Sequence, residues 1–97
     1  MASLVELSLT PPTAVLKLNR PSARNALSLE LLASLHEAAD VLAARDDIAV
    51  LIMTGEEPSF CAGMDLRAVL EDQTAATNLL RSLAELTLKI RALPMVT

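Results

Sequence analysis

The chain is predicted to be a mixed α/β fold, on three observations. Two short strand-like runs stand close together at residues 4–9 and 14–18. A helical stripe over residues 29–44 then leads into an apolar, β-branched run at residues 48–54. A second helical stripe follows over residues 77–93. Segments of period two alternating with segments of period 3.6 place helices against a sheet.

Leu4, Glu6 and Ser8 alternate with Val5, Leu7 and Leu9, so the first run is a strand with one face better buried than the other. Pro11 and Pro12 end it. The run AVLKL (14–18) follows after TPPT, and an antiparallel hairpin is the economical reading. NRPSARNA (19–26) has no periodicity and reads as a loop long enough to hold something. Ser28 is a good N-cap and Glu30 suits the helix dipole. Leu31, Leu35, Ala38, Ala39 and Leu42 recur at helical spacing, which predicts a helix over 29–44.

After RDD, the run IAVLIMT is apolar on both faces, the pattern of an interior strand covered on both sides. GEEPSFCAGMDL is a loop that opens into LRAVLED, a short helix capped by Asp65. From Thr77, residues Leu79, Leu83, Leu86, Ile90 and Leu93 form the stripe of an amphipathic helix ending before Pro94, and PMVT reads as the opening of another strand. A strand begun there has no room before Thr97, so residues 1–97 are expected to be the N-terminal part of a larger domain.

Composition removes several function classes. With 53% hydrophobic residues and Phe60 the only aromatic, the core must be built from aliphatic side chains and alanine. A net charge of −4 with no run of basic residues leaves no footprint for nucleic acid or an anionic membrane surface. No stretch approaches the roughly 18 apolar residues of a spanning helix, and MASLVELSL lacks the basic start and the continuous apolar run of a signal peptide, so a soluble, unexported protein is expected. The lone Cys61 excludes an internal disulfide and points to a reducing compartment, so a cytoplasmic location is expected.

The chemistry concentrates between Thr54 and Leu66, where a strand ends, the chain loops out, and AGMD leads into a helix. Small molecules bind beyond the carboxyl ends of strands in α/β sheets, and a helix N-terminus there favours negative charge. Gly63 permits a backbone turn that a side chain would block, so the Met64 N–H can face the crevice as a donor to an oxyanion.

The combination of NRPSARNALS, a helix, and a strand running into MTGEEPSFCAGMDL resembles the N-terminal half of the crotonase (enoyl-CoA hydratase/isomerase) family. The spacing of the two motifs agrees, and the likeness spans nearly all of the chain. It implies an α/β fold that is the N-terminal part of a ClpP/crotonase-like spiral of strand–strand–helix units. It also implies an acyl-CoA substrate in fatty acid metabolism, most naturally 2-enoyl-CoA undergoing hydration. Coenzyme A enters as part of the substrate and not as a separate cofactor, and no metal is involved.

By the same resemblance the Met64 N–H is one half of an oxyanion hole for a thioester enolate. Ala62, Gly63, Asp65 and Leu66 line the acyl-CoA channel, Ala23 and Arg24 lie at the adenine end, and Arg67 meets a phosphate. Family members take their second oxyanion donor and their catalytic carboxylates from beyond this stretch, and assemble as trimers or hexamers. Two other readings compete: a non-catalytic acyl-CoA-binding piece, and a small regulatory module similar to an anti-sigma-factor antagonist, which lacks here the DSSG-type phosphorylation motif.

The remaining polar residues have plainer readings. Cys61 has no paired base nearby, His36 sits on an amphipathic helix, and Glu56 and Glu57 precede a proline as a solvated turn. Asp46, Asp47, Glu71 and Asp72 read as solvated ends of helices or turns.

Overall fold

The computed structural model describes residues 3–97, with the side chains of Leu66, Ala68 and Val69 outside the described part. Strand β1 (Val5–Thr10) turns at Pro11–Pro12 into β2 (Thr13–Leu18), pairing antiparallel from Val5↔Leu18 to Thr10↔Thr13. Alternation along β2 buries Ala14, Leu16 and Leu18 on one face.

Helix α1 (Leu29–Ala43) begins where Ser28 Oγ accepts the Leu31 N–H at 3.2 Å, with Glu30 in the first turn. Its stripe, Leu31, Leu32, Leu35, Ala38, Ala39 and Leu42, packs into one core with the β2 face and Leu51. The helix carries the chain across the sheet to β3 (Val50–Gly55), which pairs parallel with β2 from Thr13↔Val50 to Leu18↔Gly55. The strand order is therefore β1-β2-β3, one antiparallel and one parallel pairing.

Two expectations need correction. The 48–54 run is not a strand covered on both faces. β3 starts at Val50 and alternates, with Leu51 buried while Val50 and Ile52 remain 40% and 48% exposed. No second layer packs on that face among the described residues. Ile48, expected within the strand, is buried in the connection before it.

The second correction concerns the long helix. It starts four residues before Thr77, as α3 (Gln73–Arg91), because Asp72 is its N-cap and accepts the Thr74 N–H at 2.9 Å. Its stripe is as expected: Leu79 and Leu86 are buried, and Leu83, Ile90 and Leu93 pack beside them. The short helix α2 (Leu66–Glu71) lies between β3 and α3. Past Pro94, Met95 is buried and Val96 forms a single parallel bridge with Val50 on the outer edge of β3. No helix among the described residues is long and apolar enough to cross a membrane.

Candidate functional site

Parallel pairing brings the carboxyl ends of β2 and β3 to the same edge, with Leu18 opposite Gly55. The loops that follow, 19–28 and 56–65, therefore leave the sheet side by side. That is where α/β sheets place ligands.

The first loop makes a 3₁₀ turn at Pro21–Ala23, then two left-handed residues, Arg24 (φ 53°) and Asn25 (φ 57°). Asparagine tolerates that conformation better than most residues, and here its side chain is fully buried. Asn25 Oδ1 accepts the Arg20 N–H at 2.7 Å, while Nδ2 donates to the carbonyls of Glu56 (3.0 Å) and Ser59 (2.7 Å). One N–H and two carbonyls fix which end of the amide is which. One side chain thus ties the two loops together.

The second loop folds back over the end of β3 so closely that a Cβ on Gly55 would stand 2.3 Å from the Phe60 carbonyl oxygen. Farther on, the two loops join through backbone bonds. Ala62 N–H donates to Arg24 C=O (3.0 Å), Leu27 N–H to Gly63 C=O (2.6 Å), and Asp65 N–H to Leu27 C=O (2.9 Å). The last two make a parallel bridge between Leu27 and Met64.

In such a bridge the residue whose neighbours supply the bonds turns its own N–H and C=O the other way. The Met64 N–H therefore points away from Leu27, and it has no hydrogen-bond partner among the described residues. Gly63 makes the turn possible with φ 95°. A Cβ there would meet nothing within 4 Å, so its requirement is conformational and not spatial.

Around this turn lies an open cleft of about 400 Å³, lined by Arg20, Ser22, Ala23 and Ala26 from the first loop and Met64, Asp65 and Arg67 from the second. Arg20 Nη1 donates to Asp65 Oδ2 at 2.9 Å and to Ala26 C=O at 3.1 Å. Asp65 Oδ1 accepts the Arg67 N–H at 3.1 Å, the capping role expected of it.

Of the residues expected at the site, Ala23, Met64, Asp65 and Arg67 come together on the cleft, and Gly63 shapes its wall. Arg24 and Ala62 are exposed and outside the lining, engaged with each other through their backbones. The Leu66 side chain is outside the described part. Arg20, Ser22, Asn25 and Ala26 were not singled out beforehand. A signal existed for Asn25, since asparagine in a proline-containing loop favours left-handed turns. None existed for Arg20, whose partner is 45 residues away.

The plainer residues behave differently from one another. His36 Nε2 lies 3.0 Å from Ser82 C=O, joining α1 to α3. Glu56 stands in a solvated turn but pairs there with Lys17, and the hydrogen bond between them raises the Lys17 pKa above its usual 10.5. Asp47, Asp46, Glu57 and Glu71 are all exposed, and Asp47 is also gripped by Arg45. The Cys61 thiol is free and half-buried.

Comparison with known proteins agrees with the motif likeness. A family model described as enoyl-CoA hydratase/isomerase matches residues 13–94. An enoyl-CoA isomerase/hydratase of Zymoseptoria tritici is 39% identical over 95 residues, covering 91% of this chain and 30% of that protein. The 2,3-dehydroadipyl-CoA hydratase of Escherichia coli is 43% identical over 63 residues, covering 65% of this chain and 25% of that protein. Among solved structures, an enoyl-CoA hydratase of Mycobacterium smegmatis superposes with TM-score 0.90 at 30% identity, over 97% of this chain and 38% of that one. One from Bacillus anthracis gives 0.89 at 26% identity, over 96% and 37%. The chain spans between 18% and 30% of the length of the curated relatives it matches. Its fold is that of the N-terminal region of the crotonase-fold hydratases.

Proposed function

This chain belongs to the enoyl-CoA hydratase/isomerase family, and from that premise we propose that its cleft is the first half of an acyl-CoA thioester site, with the Met64 N–H as one oxyanion donor. The observation that carries the reading is the Leu27–Met64 bridge, which turns that N–H away from its own backbone neighbours and leaves it without a partner among the described residues. A donor held in place before the reaction costs no reorganisation when negative charge develops.

The reaction proposed is hydration of a 2-enoyl-CoA. Water adds through its oxygen to C3 of the enoyl group, the C2=C3 electron pair moves toward the thioester oxygen, and the resulting enolate then takes a proton at C2. The Met64 amide stabilises that oxygen most when its charge is greatest, which lowers the barrier and not merely the dissociation constant. A second donor and the carboxylates that move the protons belong, by family resemblance, to residues beyond Thr97.

The same reading assigns the other residues. Ala23 and Arg24 border the adenine end of CoA, Arg67 faces a phosphate, and Ala62, Gly63, Asp65 and Leu66 border the acyl channel. The intact protein works as a homotrimer or hexamer in the cytoplasm, with CoA present only as part of its substrate.

The test follows loss of the enoyl-thioester absorbance of crotonyl-CoA with the intact protein, then with Met64→Pro and Gly63→Ala. Proline deletes the donor, and alanine strains the turn at positive φ without a steric clash. Met64→Pro is expected to lower kcat by about 10²–10³ if the amide is the donor, and Gly63→Ala, which keeps the donor but disturbs its aim, to lower it by less. Undiminished turnover by folded Met64→Pro, checked by circular dichroism, overturns the assignment. A 3-enoyl-CoA substrate separates isomerisation, which uses the same enolate, from hydration.

A further inference from the structure

On the wall of the cleft lies one ion pair that the proposed chemistry does not itself use. Arg20 and Asp65 are contributed by different loops, 45 residues apart, and meet at 2.9 Å with side chains 27% and 17% exposed. Asp65 follows Met64 directly, and its backbone N–H closes the bridge by donating to Leu27 C=O. Its carboxylate takes Arg20 through Oδ2 and the first turn of α2 through Oδ1. Arg20 in turn is anchored at both ends: its backbone N–H is held by buried Asn25, and Nη1 also donates to Ala26 C=O, one residue before Leu27.

We propose that Arg20 is a positioning residue for the Met64 amide, holding Asp65 against the Ala26–Leu27 backbone so that the bridge stays closed and the Met64 N–H stays turned to the cleft. This rests on the oxyanion reading of Met64. The physical argument is one of leverage. The Met64 N–H shares one planar peptide unit with the Gly63 C=O, so its aim holds as long as that carbonyl keeps the Leu27 N–H. Gly63 has the freest backbone of any residue type, and the neighbouring bond from Asp65 N–H to Leu27 C=O keeps the bridge in register. Arg20 is the cation that holds Asp65 there. Both side chains are only partly exposed, so the pair is less screened than one on the open surface.

The experiment uses the intact protein with Arg20→Gln, Arg20→Lys, Asp65→Asn and the Arg20→Gln/Asp65→Asn double variant. A misplaced group near the reacting centre costs up to about a hundredfold, so Arg20→Gln is expected to lower kcat for crotonyl-CoA by about ten- to a hundredfold while leaving KM within about twofold. Arg20→Lys should recover part of the loss, and the double variant should be no worse than the poorer single one, since both break one contact. A rise in KM with kcat unchanged means that Arg20 holds substrate directly, and overturns the proposal. So does a fall in melting temperature with both constants unchanged, because the pair would then be structural only.

A second readout separates this proposal from the oxyanion reading. In Arg20→Gln, hydrogen exchange at the Leu27 and Asp65 amides should quicken by about tenfold or more while the Leu32 and Leu35 amides of α1 stay as they were, the mark of a local opening. Unchanged exchange at Leu27 and Asp65 overturns the positioning role even if the wild-type protein proves inactive on crotonyl-CoA. Changed exchange in an enzyme indifferent to Met64→Pro sinks the oxyanion reading and leaves the pinning intact.

Discussion

The core under α1 and the junction of the two loops are held by different physics. In the core, Leu31, Leu32, Leu42, Leu16 and Leu51 are essentially removed from water and satisfied by contact with one another. That attraction has no direction and tolerates side chains of similar volume. At the junction the most deeply buried residue is the polar Asn25, and the contacts are aimed ones: a side-chain amide on three backbone groups, a two-bond bridge, and an ion pair. Burial can make the chain fold, but it cannot point one N–H at one atom. The molecule therefore spends apolar residues on stability and polar ones on aim, and a substitution should betray which region it has struck.

The comparison breaks most visibly at Leu32. Leu32→Ala should cost about 2–5 kcal/mol of stability by emptying a filled core position, yet leave kcat unchanged in the fraction that stays folded. Chemical denaturation beside turnover numbers corrected for folded fraction measures both. Next comes Asn25→Gly, which keeps the left-handed backbone and deletes only the side chain. Its stability loss should be smaller, about 1–3 kcal/mol for buried backbone groups left unpaired, but kcat should fall with it. If Leu32→Ala harms turnover of the folded enzyme as much as Asn25→Gly does, the division into stability and aim is wrong.

The smallest effect belongs to neither region and serves as a control. In the turn between α1 and β3, Arg45 grips Asp47 through two hydrogen bonds of 2.8 and 2.7 Å. The hydrogen bond from Arg45 holds the Asp47 carboxyl below its ordinary 3.8. A lowered folded pKa means that the unfolded chain takes up the proton first. The contribution is therefore present above the unfolded value and lost as pH falls through the folded one. Asp47→Asn should lower neutral stability slightly, flatten the acid limb of a stability-against-pH curve by the same small amount, and leave turnover untouched. A change in turnover would mean that the turn communicates with the cleft.

Much of the fold was legible in the sequence because periodicity is a local property. The hairpin, α1 with its Ser28 cap, and the stripe of α3 are all written within windows of a few turns. The errors fell where the deciding fact lay elsewhere. Whether a β-branched run is covered on one face or two depends on what packs over it, and the exposed Val50 and Ile52 record that outcome. Asp72 is the solvated helix end its type suggests, but which helix it caps is decided by its extended backbone (φ −160°) and not by its type.

The site divides in the same way. Gly63, Met64 and Asp65 stand in one motif and announce themselves together, whereas Arg20 acquires its meaning only when the fold delivers Asp65 to it. Asn25 looked like one polar residue among several because its burial is created by the second loop folding over it.

The Leu27–Met64 bridge has a consequence for the order in which the molecule comes into being. Its partners are 64 − 27 = 37 positions apart, and the chain between them contains all of α1 and β3. Closing a loop of that length between two backbone bonds carries an entropy cost of roughly 3 kcal/mol before constants, more than two bonds return on their own. The bridge therefore cannot lead. It should form only once α1 has docked and β3 has zipped to β2, with the expensive span already shortened by structure within it. The amides of Leu27 and Asp65 should accordingly gain protection after those of α1 in pulse-labelled refolding, and simultaneous protection would contradict this sequence of events. The cleft is, on this account, the last part of the chain to exist.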